Sequence, residues 1–198
     1  GDNALAETNA YELLITDEKN LAGLPQSAID AAREMAQAAG KEGWLFNLQK
    51  PSWIPFLQYA DNRDLRREMY LAYINRGDNN NEHDNKEVIA RILKLRQQKA
   101  QLFGYETFAE FQLEDKMAKT PEAAEALLMS IWEPAKKKVA EEVAEMQALS
   151  DGLGNDFKIE PWDYYYFAEK VRQQKYALDE NKLRPYFAVD SVAKGIFA

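Results

Sequence analysis

The run Leu95–Pro121, LRQQKAQLFGYETFAEFQLEDKMAKTP, decides how this chain is read. It reads as two helices joined at Gly104, with a third beginning at Thr120. Gly104 marks the break, because glycine accepts the left-handed backbone that ends a helix. Thr120-Pro121-Glu122 is a helix start: a capping hydroxyl, a proline at the first helical position, and an acid near the positive end of the dipole. The helix it opens carries Leu127, Leu128, Ile131, Val139, Val143 and Met146. It should run to about Ser150, with Pro134 kinking it or dividing it in two.

Working outward towards the N-terminus, the spacing predicts a helix from Asn85 to Phe103, preceded by a polar, Asn-rich loop from Gly77. Asn62 caps a helix with Leu65, Met69, Ala72 and Tyr73 on one face. Another helix is expected from Ser52 to about Ala60, one from Gln26 to Ala39 with Gly40 as its stop, and one from Asp2 to about Ala10. Tyr11–Thr16 and Gly43–Gln49 are β-prone, and they predict a small antiparallel ribbon (about 11–16 and 43–49) that needs helices packed on it. Towards the C-terminus, Asp151-Gly-Leu-Gly-Asn-Asp156 breaks the pattern. A helix follows Pro161 to about Tyr176, a short one starts at Asp179 and passes Lys182, and Val189–Ala198 looks like the first turns of another. The expected fold class is mainly α: a multi-helix, bundle-like scaffold with one two-stranded ribbon. Residues 1–198 are expected to form a single helical portion, with a possible internal boundary at 151–160.

The 198 residues include 46% hydrophobic and 12% aromatic positions, a composition that can bury a core. A net charge of -8 disfavours nucleic acid as a partner, since phosphate binding needs a concentrated basic surface. Lys136-Lys137-Lys138 lies among Glu133, Glu141 and Glu142 and reads as a solvated helix face. No apolar run is long enough to span a membrane, so no membrane partner is expected. With no cysteine, neither a disulfide framework nor thiol chemistry is available.

A catalytic zinc ion needs three protein ligands and an open position, and it favours nitrogen and sulfur. The chain has one histidine, His83, so an H-E-x-x-H pair is impossible and no metal site is expected. Asp78, Asn80, Glu82 and Asp84 alternate like the start of a calcium loop. His83 stands where that loop needs glycine, and Ile89 where it needs a bidentate acid, so the match fails. No Gly-x-Ser-x-Gly elbow is present, and no catalytic residue is assigned. Trp162, Tyr164, Tyr165, Tyr166 and Phe167 cannot all face one side of a helix. Two readings stand for them: core and helix packing, or one or two of Tyr164, Tyr165 and Tyr166 lining a peptide-binding channel with phenolic hydrogen bonds to a substrate backbone.

Several blocks together resemble the thimet oligopeptidase and peptidyl-dipeptidase family of zinc metallopeptidases. They are Leu21–Pro25, Gly43–Pro55 (GWLFNLQKPSWIP), Tyr59–Arg66, Leu95–Pro121, Trp162-Asp163 with Tyr165-Tyr166, and Ala168–Phe187. Leu183–Phe187 with Val192 and Gly195 particularly resembles the peptidyl-dipeptidase branch. The resemblance implies a largely helical, two-lobed parent with a deep channel that admits short peptides. It also implies a zinc ion held by the two histidines of H-E-x-x-H and a downstream glutamate, none of which has a counterpart here. The expectation is therefore a non-catalytic helical portion of a zinc-dependent peptidase, inactive by itself, upstream of the zinc helix. Zinc belongs to the parent and not to this portion. The expected partners are short peptides in the full enzyme and the missing catalytic lobe of the same chain, in a cytoplasmic setting. The alternative is a stand-alone helical peptide- or protein-binding module without catalysis.

Overall fold

The computed structural model describes residues 1–177 and 184–196, the side chains of 184 and 185 excepted. The fold is mainly α, with one small sheet. The elements are α1 (Asp2–Ala10), β1 (Leu13–Ile15), α2 (Gln26–Ala38), β2 (Trp44–Phe46), α3 (Lys50–Tyr59), α4 (Arg63–Ile74), α5 (Lys86–Leu102), α6 (Phe108–Leu113), α7 (Pro121–Gly152), α8 (Tyr164–Tyr176) and α9 (Val189–Ile196). The chain divides into two compact units. One comprises Gly1–Ala10 with Asn75–Ala144, and the other Tyr11–Ile74 with Glu145–Ala198.

The first unit contains the stretch that decided the reading. α5 ends where Gly104 takes a φ of +84°, and the Tyr105 N–H turns back to the Ala100 carbonyl. This closure satisfies a carbonyl that the helix end would otherwise orphan. Thr107 and Glu110 then form a reciprocal capping box that starts α6. Phe111 docks α6 on the end of α5, stacked on Phe103 at 5.3 Å between centroids, with Lys99 over its ring. Thr120 accepts from the Ala123 N–H and starts α7 as expected. The Glu7 carboxylate on α1 gathers the loop after α4, accepting from the Gly77 N–H and the Asn79 and Asn81 amides.

The second unit has the core. β1 and β2 pair antiparallel with Leu13 opposite Phe46 and Ile15 opposite Trp44. Leu13 and Ile15 point inward and Leu14 outward, the period of two that a half-covered strand requires. Ala32 of α2, Trp53, Phe56 and Leu57 of α3, and Met69 of α4 close over that face. Phe46 and Phe56 meet edge to face at 4.8 Å. Gly43 enters β2 with φ +111°, and a Cβ there would stand 2.3 Å from the Ile15 carbonyl oxygen. Only glycine lets the two strands approach so closely. Asn62 accepts from the Leu65 N–H and caps α4 as its sequence predicts.

Several boundaries differ from expectation. The strands are three residues each: after β1 Asp17 caps a 3-10 turn, and after β2 Asn47 accepts from the Gln49 N–H and turns the chain. α3 begins at Lys50, before Ser52, since a proline at position 51 is tolerated in a first turn, where its missing N–H has no partner to lose. Pro134 sits inside one continuous helix that extends to Gly152, so α7 is not divided. Pro134 is exposed, and water can serve the carbonyl that loses its donor. Pro161–Asp163 forms a 3-10 turn before α8 begins. The short helix expected at Asp179 lies outside the described residues.

Candidate functional site

The aromatic run is organised by Asp163, which is fully buried. Its carboxylate accepts the Glu160 N–H and so fixes the 3-10 turn that launches α8. The same carboxylate takes the Arg63 guanidinium in a fork, with Nη2 at 2.8 Å, and Arg66 Nη2 at 2.9 Å. Arg66 is buried, and its Nη1 donates to the carbonyls of Ala60 and Asp61 at the end of α3. Hydrogen bonding to Asp163 is the largest influence holding the Arg63 guanidinium above its ordinary pKa. One carboxylate thus ties α4, the α3–α4 corner and the start of α8 into a rigid support.

The first turn of α8 distributes the candidate tyrosines unequally. Tyr166 donates its hydroxyl to Asp61 Oδ1 at 2.7 Å and lies under the Arg66 guanidinium, 4.0 Å from the ring centroid. Burial, and then the hydrogen bond to Asp61, push the Tyr166 phenol up, so it stays protonated at neutral pH. Tyr165 is partly exposed and meets Trp53 edge to face at 5.7 Å. Tyr164 is half-buried against the Tyr165 ring. Phe167 is the core residue of the run, packed against Phe157. One turn further along α8, the buried Glu169 carboxylate accepts from Arg172, Gln173 and Tyr59. Burial raises the Glu169 carboxyl, but hydrogen bonds from Arg172 and Gln173 outweigh it, and the net position is below the ordinary value.

A cavity of about 620 Å³ opens in the same unit, lined by Met35 of α2, Phe46 of β2, Asn47, and Gln58 and Tyr59 of α3 among others. Its lining includes no Asp, Glu, Lys or Arg. The sequence reading missed it. The available signal was the small-residue face Ala28 and Ala31 of α2 opposite Pro51 and Pro55, which leaves space that larger side chains would fill.

The residues weighed as metal ligands do not come together. His83 is half-exposed, with Glu82 at 3.6 Å as its acidic neighbour. The Lys86 ammonium sits between Asp78 and Asp84, in contact with both, where the alternating acids suggested a calcium loop. Among the described residues no group of three His, Cys, Asp or Glu side chains gathers. One imidazole and no thiolate make a donor set that does not fit zinc. Lys136 and Lys138 pair with Glu133 and Glu141 on an exposed helix face. Among the described residues no helix is long and apolar enough to cross a membrane.

A family model described as "Peptidase family M3" matches residues 56–198. Oligopeptidase A of Salmonella typhimurium is 38% identical over 200 residues, covering 99% of this chain and 29% of that protein. "Probable cytosolic oligopeptidase A" of Arabidopsis thaliana is 37% identical, covering 99% of this chain and 29% of its own length. Dipeptidyl carboxypeptidase of Salmonella typhimurium is 35% identical over 195 residues, covering 98% of this chain and 29% of that protein. The chain spans less than a third of the length of these relatives.

Proposed function

The chain belongs to peptidase family M3, and from that premise we propose that it is a non-catalytic helical portion of a zinc-dependent oligopeptidase or peptidyl-dipeptidase acting on short peptides. The observation that carries this reading is that nearly the whole chain aligns with under a third of proteins named as peptidases. The zinc ion supplies the polarisation and the activated water of peptide hydrolysis when bound. In this reading its ligands and the glutamate that activates water come from sequence outside these 198 residues. The portion itself is inactive, holds no zinc, and works with the catalytic lobe of the same polypeptide.

Its own residues provide channel wall and substrate positioning. Tyr164 and Tyr165 are the candidates for contact with a peptide backbone. Tyr166 is the candidate whose hydroxyl is already engaged by Asp61, so its part is to hold the wall in place. A cytoplasmic setting is proposed with the plant relative named as cytosolic in view.

Dialysis against zinc followed by metal analysis tests the assignment. A protein extended through the H-E-x-x-H segment should retain about one zinc per chain, and the 198-residue chain should retain none. Stoichiometric zinc on the shorter chain would sink the reading.

A further inference from the structure

One apolar stripe runs along α7 at helical spacing through Leu128, Ile131, Trp132, Ala135, Val139, Val143 and Met146. At its C-terminal end the stripe is covered: Met146 is 5% exposed, and Ser150, one turn on, is fully buried. Val143 is half-buried. Further back the same stripe is bare, with Leu128 66% exposed, Ile131 62% and Trp132 55%. No residue from Pro121 to Glu145 is buried. Leu128, Met129, Ile131, Trp132 and Ala135 edge a hollow of about 450 Å³. Single exposed apolar residues are ordinary, whereas a contiguous stripe of them marks a contact surface.

We propose that Leu128–Val139 of α7 seats an apolar face of the same polypeptide, supplied by the part of the peptidase that lies outside these 198 residues. The inference rests on the functional reading above, and two observations favour this occupant over others. First, the relatives are more than three times the length covered here, so ample sequence exists to supply the cover. Second, the stripe continues one that this chain already buries within itself at Met146, so the bare part has the character of interrupted core. The chemistry of the occupant follows from the flanks. Lys136 and Lys138 are paired within the helix with Glu133 and Glu141, which leaves apolar contact, including a slot beside the Trp132 ring, as the means of recognition.

Cysteine accessibility tests the inference, because the chain contains no cysteine of its own. Single reporters are placed by Leu128→Cys and Ala135→Cys on the stripe and by Lys137→Cys about half a turn away. Each is introduced into the 198-residue chain and into the full-length protein, with any other cysteine replaced. All three should react with a maleimide at similar rates in the short chain. In the full-length protein the two stripe positions should slow by ~10-fold or more while Lys137→Cys stays fast, because thiol reactivity follows access.

Equal rates at all three positions in the full-length protein would overturn the inference. So would a short chain that is dimeric in solution with the stripe already protected, which would make a second copy the occupant. Metal-dependent peptide cleavage by the full-length protein is measured in parallel. Active protein with an unprotected stripe refutes the seat alone, and inactive full-length protein refutes the functional reading beneath it.

Discussion

Arg66 and Asp163, 97 residues apart in sequence, form a buried ion pair at 2.9 Å. Arg63 adds a second guanidinium to the same carboxylate from a more exposed position. Asp163→Ala leaves the Arg66 charge buried without its partner, and the expected loss is about 3–5 kcal/mol in urea unfolding. Arg63→Gln should cost less, because its side chain is 32% exposed and Asp163 keeps Arg66. An Asp163→Ala protein within about 1 kcal/mol of the parent would contradict the role assigned to this pair.

The same pair shows where sequence reading stops. Gly104, Thr120 and Asn62 were legible because each acts on backbone within a few residues, through a left-handed turn or a capping oxygen. The ribbon was legible from two β-prone runs and their alternation. Both partners of the ion pair lay in blocks of family resemblance, Tyr59–Arg66 and Trp162-Asp163, but nothing local says that one block bonds to the other. An aspartate beside a tryptophan in an aromatic run was the available hint. The cavity at Asn47 and Gln58 was missed for a different reason. Its one signal, Ala28 and Ala31 opposite Pro51 and Pro55, marks an absence of packing and has no periodic signature. The undivided α7 shows that an exposed proline interrupts a helix less than its propensity implies.

Acid should act through Glu169. Its folded pKa lies below its ordinary value, so the folded state releases the proton more readily than the unfolded one. The stability it adds is fully present above the unfolded value near 4.5 and is lost as pH falls through the lower folded value. Glu169→Gln should therefore flatten the fall in unfolding midpoint below about pH 4.5 and leave the slope around neutrality unchanged. Parallel acid limbs for the two proteins would show that this carboxylate is not hydrogen-bonded as described.

Two glycines separate backbone strain from steric clash. Gly40 ends α2 with φ +67° and open space around it, so Gly40→Ala should cost about 1–2 kcal/mol, the left-handed penalty. Gly43→Ala adds a Cβ 2.3 Å from the Ile15 carbonyl oxygen and must move one strand against the other. It should cost clearly more than Gly40→Ala in thermal unfolding. Equal costs would mean that the strand approach at Ile15 is looser than the structure has it.

The tyrosines should divide by role in the full-length protein. Tyr165→Phe is expected to raise KM about fivefold for a short peptide, the worth of one hydrogen bond to a substrate backbone, with little change in melting temperature. Tyr166→Phe removes the hydroxyl that holds Asp61 and should lower the melting temperature instead. Steady-state kinetics and thermal unfolding of the two variants together decide it. A Tyr165→Phe enzyme with unaltered kinetics would remove that residue from the channel wall.

The most direct measurement is the zinc-dependent rate of cleavage of a short quenched-fluorescent peptide, taken side by side for this chain and for the full-length protein. Metal-dependent turnover is expected of the full-length protein, and none above the zinc-only blank of the 198 residues. Turnover by the 198-residue chain that vanishes with a chelator and returns with zinc would contradict this expectation.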